Sequence, residues 1–330
     1  MTIMVTGAAG FIGSHICLQL LERGERVLGV DNLNDYYDVS LKKARLARFE
    51  SHPNFVLAEV NIADRAAMEE AVATATAKLG ALRRVVHLAA QAGVRYSLEN
   101  PYTYIETNVM GQTVILEICR HAPEFEHLVY ASSSSVYGGN TKVPFSVEDR
   151  VDNPISLYAA TKKADELMGN CYSHLFRIPS TGLRFFTVYG PWGRPDMALW
   201  IFTRAIYAGE PIPVFNNGDM RRDFTYIDDI VDGTIRALDN PPEDNGTTPP
   251  YRIYNIGNHR TEELMHLVEV LEEAIGKKAE KNFLPMQPGD VSATYADIDA
   301  IQRDLGFQPK TTIDIGIPNF IDWYRTYHGV

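Results

Sequence analysis

The sequence predicts an α/β protein: a doubly wound parallel sheet, with a smaller mixed α/β domain towards the C-terminus. Short runs of Val, Ile and Leu without polar alternation recur through the first half, separated by amphipathic stretches. Strands of that kind are buried on both faces, so helices must cover the sheet and its strands should run parallel. Beyond Phe186 the alternation breaks, with Pro and Gly recurring at Gly190, Pro191, Gly193, Pro195, Gly209, Pro211, Pro213 and Gly218. Such punctuation marks a change of architecture.

In chain order, Ile3-Met4-Val5 is the first strand, followed by a helix from about Phe11 to Arg23 and a strand from Arg26 to Asp31. Phe55-Val56-Leu57 precedes an Ala-rich helix from about Asp64 to Lys78, and Val85 to Leu88 forms the next strand. A helix from about Pro101 to His121, a strand from Leu128 to Ala131, a helix from about Leu157 to Leu175 and a strand from Thr181 to Phe186 follow. Residues 1–182 therefore read as one domain and 183–330 as a second. A segment at about 225–258, with a helix from Asp228 to Asp239 and a strand from Tyr251 to Ile256, is expected to return to the first sheet. Between them, Asp239 to Pro250 is polar and Pro-containing, a surface loop. Helices from about Glu262 to Ile275 and Ile313 to Tyr327 belong mostly to the second domain.

The 330-residue length suits two such lobes. A formal net charge of -11 argues against a nucleic-acid partner, because a polyanion is held by clustered Lys and Arg. A single phosphate ester needs only local donors and is not excluded. Cys17, Cys119 and Cys171 are far apart, without C-x-x-C spacing or neighbouring His, so small apolar packing roles are expected and neither disulfides nor a metal site. The chain enters its first strand at Thr2 and has no apolar run near the ~20 residues of a membrane span. A cytoplasmic protein without leader or membrane segment is expected.

Gly7, Gly10 and Gly13 lie directly between the first strand and the first helix. Without Cβ atoms there, backbone N–H groups approach a pyrophosphate and the helix packs close to the strand. The helix N-terminus adds unpaired donors and partial positive charge. The spacing is G-x-x-G-x-x-G, a variant of the usual dinucleotide fingerprint. Asp31 closes the second strand, where a carboxylate accepts from the adenosine ribose hydroxyls and repels a 2′-phosphate. No Arg or Lys follows until Lys42, so NAD is expected and not NADP.

Tyr158 and Lys162 are four apart in a helical stretch and share one face. A phenol titrates near 10 and must come down by about three, worth about 4 kcal/mol, to accept a proton near neutrality. A neighbouring ammonium and a positive nicotinamide ring supply that together. Ser132-Ser133-Ser134-Ser135 stand at a strand end upstream.

These segments together resemble an extended short-chain dehydrogenase/reductase of the nucleotide-sugar epimerase group, most closely the UDP-glucuronate 4-epimerases. The matching stretches are TGAAGFIG at Thr6 to Gly13, HLAAQAGVR at His87 to Arg95, SSSSVYG at Ser132 to Gly138 and YAATKKA at Tyr158 to Ala164. They continue as RFFTVYGPWGRPDMA at Arg184 to Ala198, RRDFTYIDD at Arg221 to Asp229, YNIGN at Tyr254 to Asn258 and QPGDV at Gln287 to Val291. The resemblance implies a Rossmann-type first domain binding NAD and a second domain binding a UDP-sugar. It implies Tyr158 as base, Lys162 as the group that tunes it and holds the nicotinamide ribose, and Ser133 as partner of the sugar 4-hydroxyl. For the cofactor it implies Gly7, Gly10, Phe11, Ile12, Gly13, Asp31, Asn32, Leu88, Ala89, Ala90, Gln91 and Phe185. Asn108 falls near the nicotinamide side, and Asn61-Ile62 replaces the Asp-Ile that many relatives place beside adenine. For the substrate it implies Arg95, Ser134, Ser135, Thr187, Arg194, Val214 and Phe215, with Arg222 on the diphosphate and Asp290 on a ribose. Gln287 stands where UDP-galactose epimerases commonly have Arg. It also implies a homodimer paired through the helices at Pro101 to His121 and Leu157 to Leu175.

Relatives that eliminate water after oxidising C4 typically carry Thr-Asp-Glu before the Val at position 136, and decarboxylases carry Glu. This chain has Ser133-Ser134-Ser135, hydroxyls that donate hydrogen bonds but do no acid–base chemistry near neutrality. The ketone is then left to recover its hydride, which is epimerisation. A 4-keto uronate loses carbon dioxide unless fixed donors hold its carboxylate. Ser134, Ser135, Thr187 and Arg194 are the candidates. The alternatives are a neutral UDP-hexose 4-epimerase, a UDP-glucuronate decarboxylase, or a silent NAD-binding scaffold, whose mark would be loss of Tyr158 or Lys162.

Overall fold

A computed structural model of the protein describes residues 1–287 and 291–330. The chain divides into two compact units. The first comprises Met1–Asn140, Asp149–Arg184 and Val231–Tyr254; the second comprises Thr141–Glu148, Phe185–Ile230 and Asn255–Val330.

Seven strands build the central sheet: β1 (Thr2–Thr6), β2 (Arg26–Asp31), β3 (Phe55–Glu59), β4 (Leu82–His87), β5 (His127–Ser133), β6 (Ser180–Phe185) and β7 (Tyr251–Ile256). Their order is β7-β6-β5-β4-β1-β2-β3, the Rossmann-type arrangement that the resemblance implies. Pairs β1–β2, β2–β3, β1–β4 and β4–β5 run parallel. The register sets Thr6 opposite Val30 on one side and His87 on the other. Chain order reverses at β1, so the turns after β1 and β4 open at the topological switch point, where such sheets take ligands.

Helix α1 (Phe11–Glu22), α2 (Val39–Leu46), α3 (Arg65–Leu79), α4 (Gly111–His121) and α5 (Leu157–Phe176) follow these strands. Met4, Leu28, Val30, Met68, Val85, Val114, Leu116 and Leu128 form one buried cluster. Each such aliphatic side chain withdrawn from water contributes about 1.5–3 kcal/mol.

Two departures from the sequence-based elements bear on the site. Helix α2 has no counterpart there, because Leu41 and Leu46 are its only buried apolar residues and the others are Lys42 and Arg45. Asp38 caps it by accepting from the Ser40 N–H at 2.8 Å. The expected helix from Pro101 to His121 is three pieces: Pro101–Tyr104, a π-helical turn over Ile105–Met110, and α4. A π-turn inserts one residue per turn and re-aims its side chains, which is why such turns gather at functional positions. Buried Asn108 sits in it.

Among the described residues, the second unit holds three two-stranded sheets. Thr187–Tyr189 pairs parallel with Phe224–Tyr226, Ile212–Phe215 parallel with Lys281–Leu284, and Arg221–Arg222 antiparallel with Glu262–Glu263. Buried Asp223 joins its loops, accepting from the Asn258 N–H at 2.7 Å and the Ala296 N–H at 3.2 Å. Trp200, Phe320, Trp323 and Tyr324 interlock their rings between helices Ala198–Ala208 and Ile313–His328. Among the described residues no helix is long and apolar enough to cross a membrane, and no group of three His, Cys, Asp or Glu is placed to hold a metal.

Candidate active site

The turn after β1 is built by its glycines. Gly7 has φ +71, and its N–H donates to the Val30 carbonyl at 2.7 Å. A Cβ at Gly7 would lie 3.0 Å from the Ala89 nitrogen. One at Gly13 would lie 2.0 Å from the Gly7 carbonyl oxygen, closer than any side chain tolerates. Helix α1 begins at Gly10 with no side-chain cap and no acidic residue in its first turn. Bare backbone and a helix N-terminus whose first turn carries no acidic residue fit a pyrophosphate. Phe11 and Gly13 are buried and Ile12 is half-buried at this helix start.

Asp31 ties the turn to the loop after β2. Its Oδ2 accepts from the Ala9 N–H at 3.0 Å and its Oδ1 from the Leu33 N–H at 2.9 Å. It therefore does cap a loop, and each oxygen keeps a second lone pair for a ribose hydroxyl. Lys42, remote in sequence, is folded back to 3.9 Å from Asp31 Oδ1 and donates to Asn34 Oδ1 at 2.8 Å. Burial draws its ammonium down from its ordinary range, against the pull of Asp31. Exposed Asn32 accepts from the Asn34 N–H at 3.2 Å. Asn61 accepts from the Ala63 N–H at 3.1 Å, while Ile62 is buried against Gly111.

After β4, the Leu88 and Ala89 N–H groups donate to Thr6 Oγ1 at 3.1 and 3.0 Å, which brings Leu88, Ala89 and Ala90 beside the glycine turn. Asn108 braces the next residue. Its Oδ1 accepts from the Gln91 N–H at 2.8 Å, and its Nδ2 donates to the Gln91 carbonyl at 3.1 Å and to Thr161 Oγ1 at 3.0 Å. Both amide donors are thus spent on holding the β4 loop to α5. Arg95 is exposed at the start of the short helix Tyr96–Glu99.

Ser133 ends β5, extended and buried, and its Oγ accepts from the Ser135 N–H at 3.1 Å. Ser134 and Ser135, half-buried, open a 3-10 turn over Ser134–Tyr137. Tyr158 and Lys162 lie in the first two turns of α5, which Ser156 caps by accepting from the Ala159 N–H at 3.1 Å. Tyr158 is half-buried, its ring edge-on to Tyr104 at 6.1 Å. Lys162 is 3% exposed and donates to Asp165 Oδ2 at 3.0 Å.

In the second unit, Phe185 is buried and Thr187 half-buried at the start of its strand. Arg194 Nε donates to Asp196 Oδ1 at 3.0 Å, and its Nη2 also bonds that carboxylate, so it is not a free surface cation. Val214 is fully buried and Phe215 half-buried in the strand paired with Lys281–Leu284. Arg222 donates to the Val291 carbonyl at 2.5 Å and the Ser292 carbonyl at 3.1 Å. Gln287 Oε1 has no hydrogen-bond donor among the described residues. Asp290 lies outside the described residues.

The model of the NAD dependent epimerase/dehydratase family matches residues 3–257. The chain belongs to this family. Its cofactor is accordingly NAD, the dinucleotide that the glycine turn and Asp31 predict. The probable UDP-glucuronate 4-epimerase of Rhizobium meliloti is 45% identical over 337 residues, covering 98% of this chain and 97% of that one. UDP-glucuronate 4-epimerase 1 of Arabidopsis thaliana is 48% identical, covering 99% and 77%. The crystal structure of a Bacillus cereus UDP-glucuronic acid 4-epimerase, in complex with UDP-glucuronic acid and NAD, superposes with a TM-score of 0.88 at 32% identity, covering 99% and 100%.

Several residues of this epimerase/dehydratase fold stand beside the expected site residues without having been singled out in the sequence. His87 closes β4 with Nδ1 2.7 Å from Thr6 Oγ1. Burial, and then Lys162, lower its imidazole to about 3, so it is neutral. Tyr104 donates to the Gly93 carbonyl at 2.5 Å. Asp165 partners Lys162. A buried Tyr or His reads as core in a sequence; Asp165, three residues after Lys162, offered an i,i+3 pairing that helical spacing alone makes visible.

Proposed function

We infer that the protein is a UDP-glucuronate 4-epimerase, interconverting UDP-glucuronate and UDP-galacturonate. What carries this reading is the sequence end of β5: beside Tyr158 and Lys162 it offers Ser133, Ser134 and Ser135, hydroxyls alone, where dehydratases and decarboxylases carry acids. Relatives named UDP-glucuronate 4-epimerase, matched over 98% and 99% of this chain, support it.

Tyr158 accepts the proton of the sugar 4-hydroxyl, with Ser133 hydrogen-bonded to the same oxygen. Lys162 stabilises the phenolate and binds the nicotinamide ribose. Bound NAD takes the hydride from C4 and returns it. As the proton leaves O4 and the hydride leaves C4, the carbinol becomes a ketone; reversal on the other face, after the 4-keto sugar turns, restores the carbinol inverted. Tyr158 then gives its proton back to O4, so protons and electrons balance without a second oxidant. Ser134, Ser135, Thr187 and Arg194 hold the uronate carboxylate localised, which opposes loss of carbon dioxide from the β-keto acid. Because Arg194 is paired with Asp196, the substrate carboxylate shares that guanidinium. Arg222 holds the diphosphate, with Gln287 and Asp290 on the nucleotide.

Residues 1–182 serve NAD and 183–330 the UDP-sugar, apart from the returning segment. Tyr102, 84% exposed, and Leu167, 59% exposed, lead an apolar set with Ile105, Met110 and Leu175 on the helices at 101–121 and 157–176. Such a set needs a cover, and a homodimer through these helices supplies it; light scattering tests this. The expected compartment is the cytoplasm.

Incubation with UDP-glucuronate tests the function. UDP-galacturonate is the expected product. UDP-xylose with carbon dioxide would mean a decarboxylase, and no turnover would favour a neutral UDP-hexose.

A further inference from the structure

Helix α5 carries a third titratable side chain on the stripe that holds Tyr158 and Lys162. Asp165 follows Lys162 by three and Tyr158 by seven positions, and in a helix of about 3.6 residues per turn these share one face. Lys162 and Asp165 form an ion pair at 3.0 Å with side chains only 3% and 1% exposed. Asp165 Oδ1 has no hydrogen-bond donor among the described residues. So deep a pair with half its carboxylate unbonded adds little net stability, since desolvating two ions offsets their attraction. Its field remains. A rise of about 1.5 Å per residue sets the Cα atoms of Tyr158 and Asp165 about 10 Å apart along the helix.

We propose that Asp165 is a positioning residue for the reaction: it holds the Lys162 ammonium in place and, as an anion, offsets part of that ammonium's field at Tyr158, thereby setting where the phenol titrates. The proposal rests on the reading of Tyr158 as base and Lys162 as its tuning group.

The surroundings agree. Burial alone would draw the Lys162 ammonium down, but Asp165 and Tyr158 outweigh it and hold it above its ordinary range. Burial pushes the Asp165 carboxyl up to about 6 against the pull of Lys162, with Glu166 adding to the rise. On α5, Tyr158 and Glu166 neighbour this pair. From β4 comes His87, kept neutral by burial. From β5 and β7 come Tyr130 and Tyr251, phenols pushed up by burial, with Asp165 a lesser cause for each. From β6 comes Arg184, whose charge is taken up by Glu166. Asp165 is the member of this set whose charge changes in mild acid.

The test is a phenolate absorbance titration of the NAD-loaded protein, taken as a difference against the same protein carrying Tyr158→Phe. Asp165→Asn keeps the shape and an acceptor for Lys162 but removes the charge. Its Tyr158 midpoint should fall by about one pH unit, the size expected for one charge at about 10 Å with an effective dielectric near 20. The acid limb of kcat/KM should move down with it, giving about tenfold faster turnover on that limb. A midpoint equal to the parent's overturns the proposal. Where Asn fails to fold, by circular dichroism, neutral Asp165→Ser is titrated in its place. The titration uses no sugar nucleotide, so a wrong substrate assignment leaves it intact; a Tyr158→Phe difference with no phenolate signal overturns both the proposal and the role of Tyr158 as base.

Discussion

Two buried ion pairs sit on neighbouring positions of α5 and are built in opposite ways. Glu166 spends both oxygens: Oε1 accepts from Arg184 Nε at 2.8 Å and Ser132 Oγ at 2.7 Å, and Oε2 from Arg184 Nη2 at 2.9 Å. Arg184 goes on to Tyr137 at 3.0 Å. This network fastens α5, β5, β6 and the turn after Ser133 together. Asp165, one residue earlier, bonds Lys162 through Oδ2, while its Oδ1 has no donor among the described residues. Burial alone would raise the Glu166 carboxyl, yet the bonds and charge of Arg184, with Ser132 and Lys163, hold it below its ordinary range. Asp165 moves the other way. The satisfied pair holds the scaffold under the serine run; the unsatisfied one is available to set the electrostatics of the Tyr158 face.

The largest expected effect leaves both pairs intact. Tyr158→Phe should lower turnover about 10²–10⁴-fold while NAD is retained and the melt barely moves. Near-parental rates would remove the chemistry from this face of α5. Next comes Glu166→Gln, which leaves a buried guanidinium without its anion and should cost about 3–5 kcal/mol in urea unfolding. A loss below about 1 kcal/mol would mean the network is not what fastens α5 to the sheet.

The pH dependence sharpens the contrast. Glu166 titrates lower when folded, so its stabilisation is present above the ordinary carboxylate value and is lost as pH falls through the folded one. The cost of Glu166→Gln should therefore shrink in acid. Asp165 titrates higher when folded, so ionising it as pH rises from about 4 to about 6 weakens the parent. Asp165→Asn should thus gain on the parent over that window, and melts across pH 4 to 8 that run parallel for the two variants would contradict the opposition. The smallest effect on stability is expected at the part-exposed Arg194–Asp196 pair, where Arg194→Ala should cost under about 1 kcal/mol. Its mark is in the product, through slower UDP-glucuronate turnover or leakage to UDP-xylose. Unchanged kinetics with clean product would leave Arg194 a loop residue.

Much of the dinucleotide end was legible in the linear chain because its signals are local. A strand, three glycines, a helix and a closing acid obey short-range sterics. Lys42 was misleading for the same reason. Its distance from Asp31 along the chain argued against a basic neighbour, but α2 turns it back to 3.9 Å from that carboxylate. Asn108 was legible as a site residue by resemblance, while its work as a brace between Gln91 and Thr161 depends on a π-turn that no apolar period marks.

The sequence by itself determined the parallel sheet, the cofactor class and the hydroxyl-only run at Ser133 to Ser135, because hydrophobic period, glycine sterics and side-chain chemistry are properties of neighbouring residues. Tertiary structure alone decided which charges are satisfied. Whether Glu166 meets Arg184, and whether Asp165 keeps an oxygen unbonded, depends on β5 and β6 arriving beside α5, and desolvation acts only once they have closed around it.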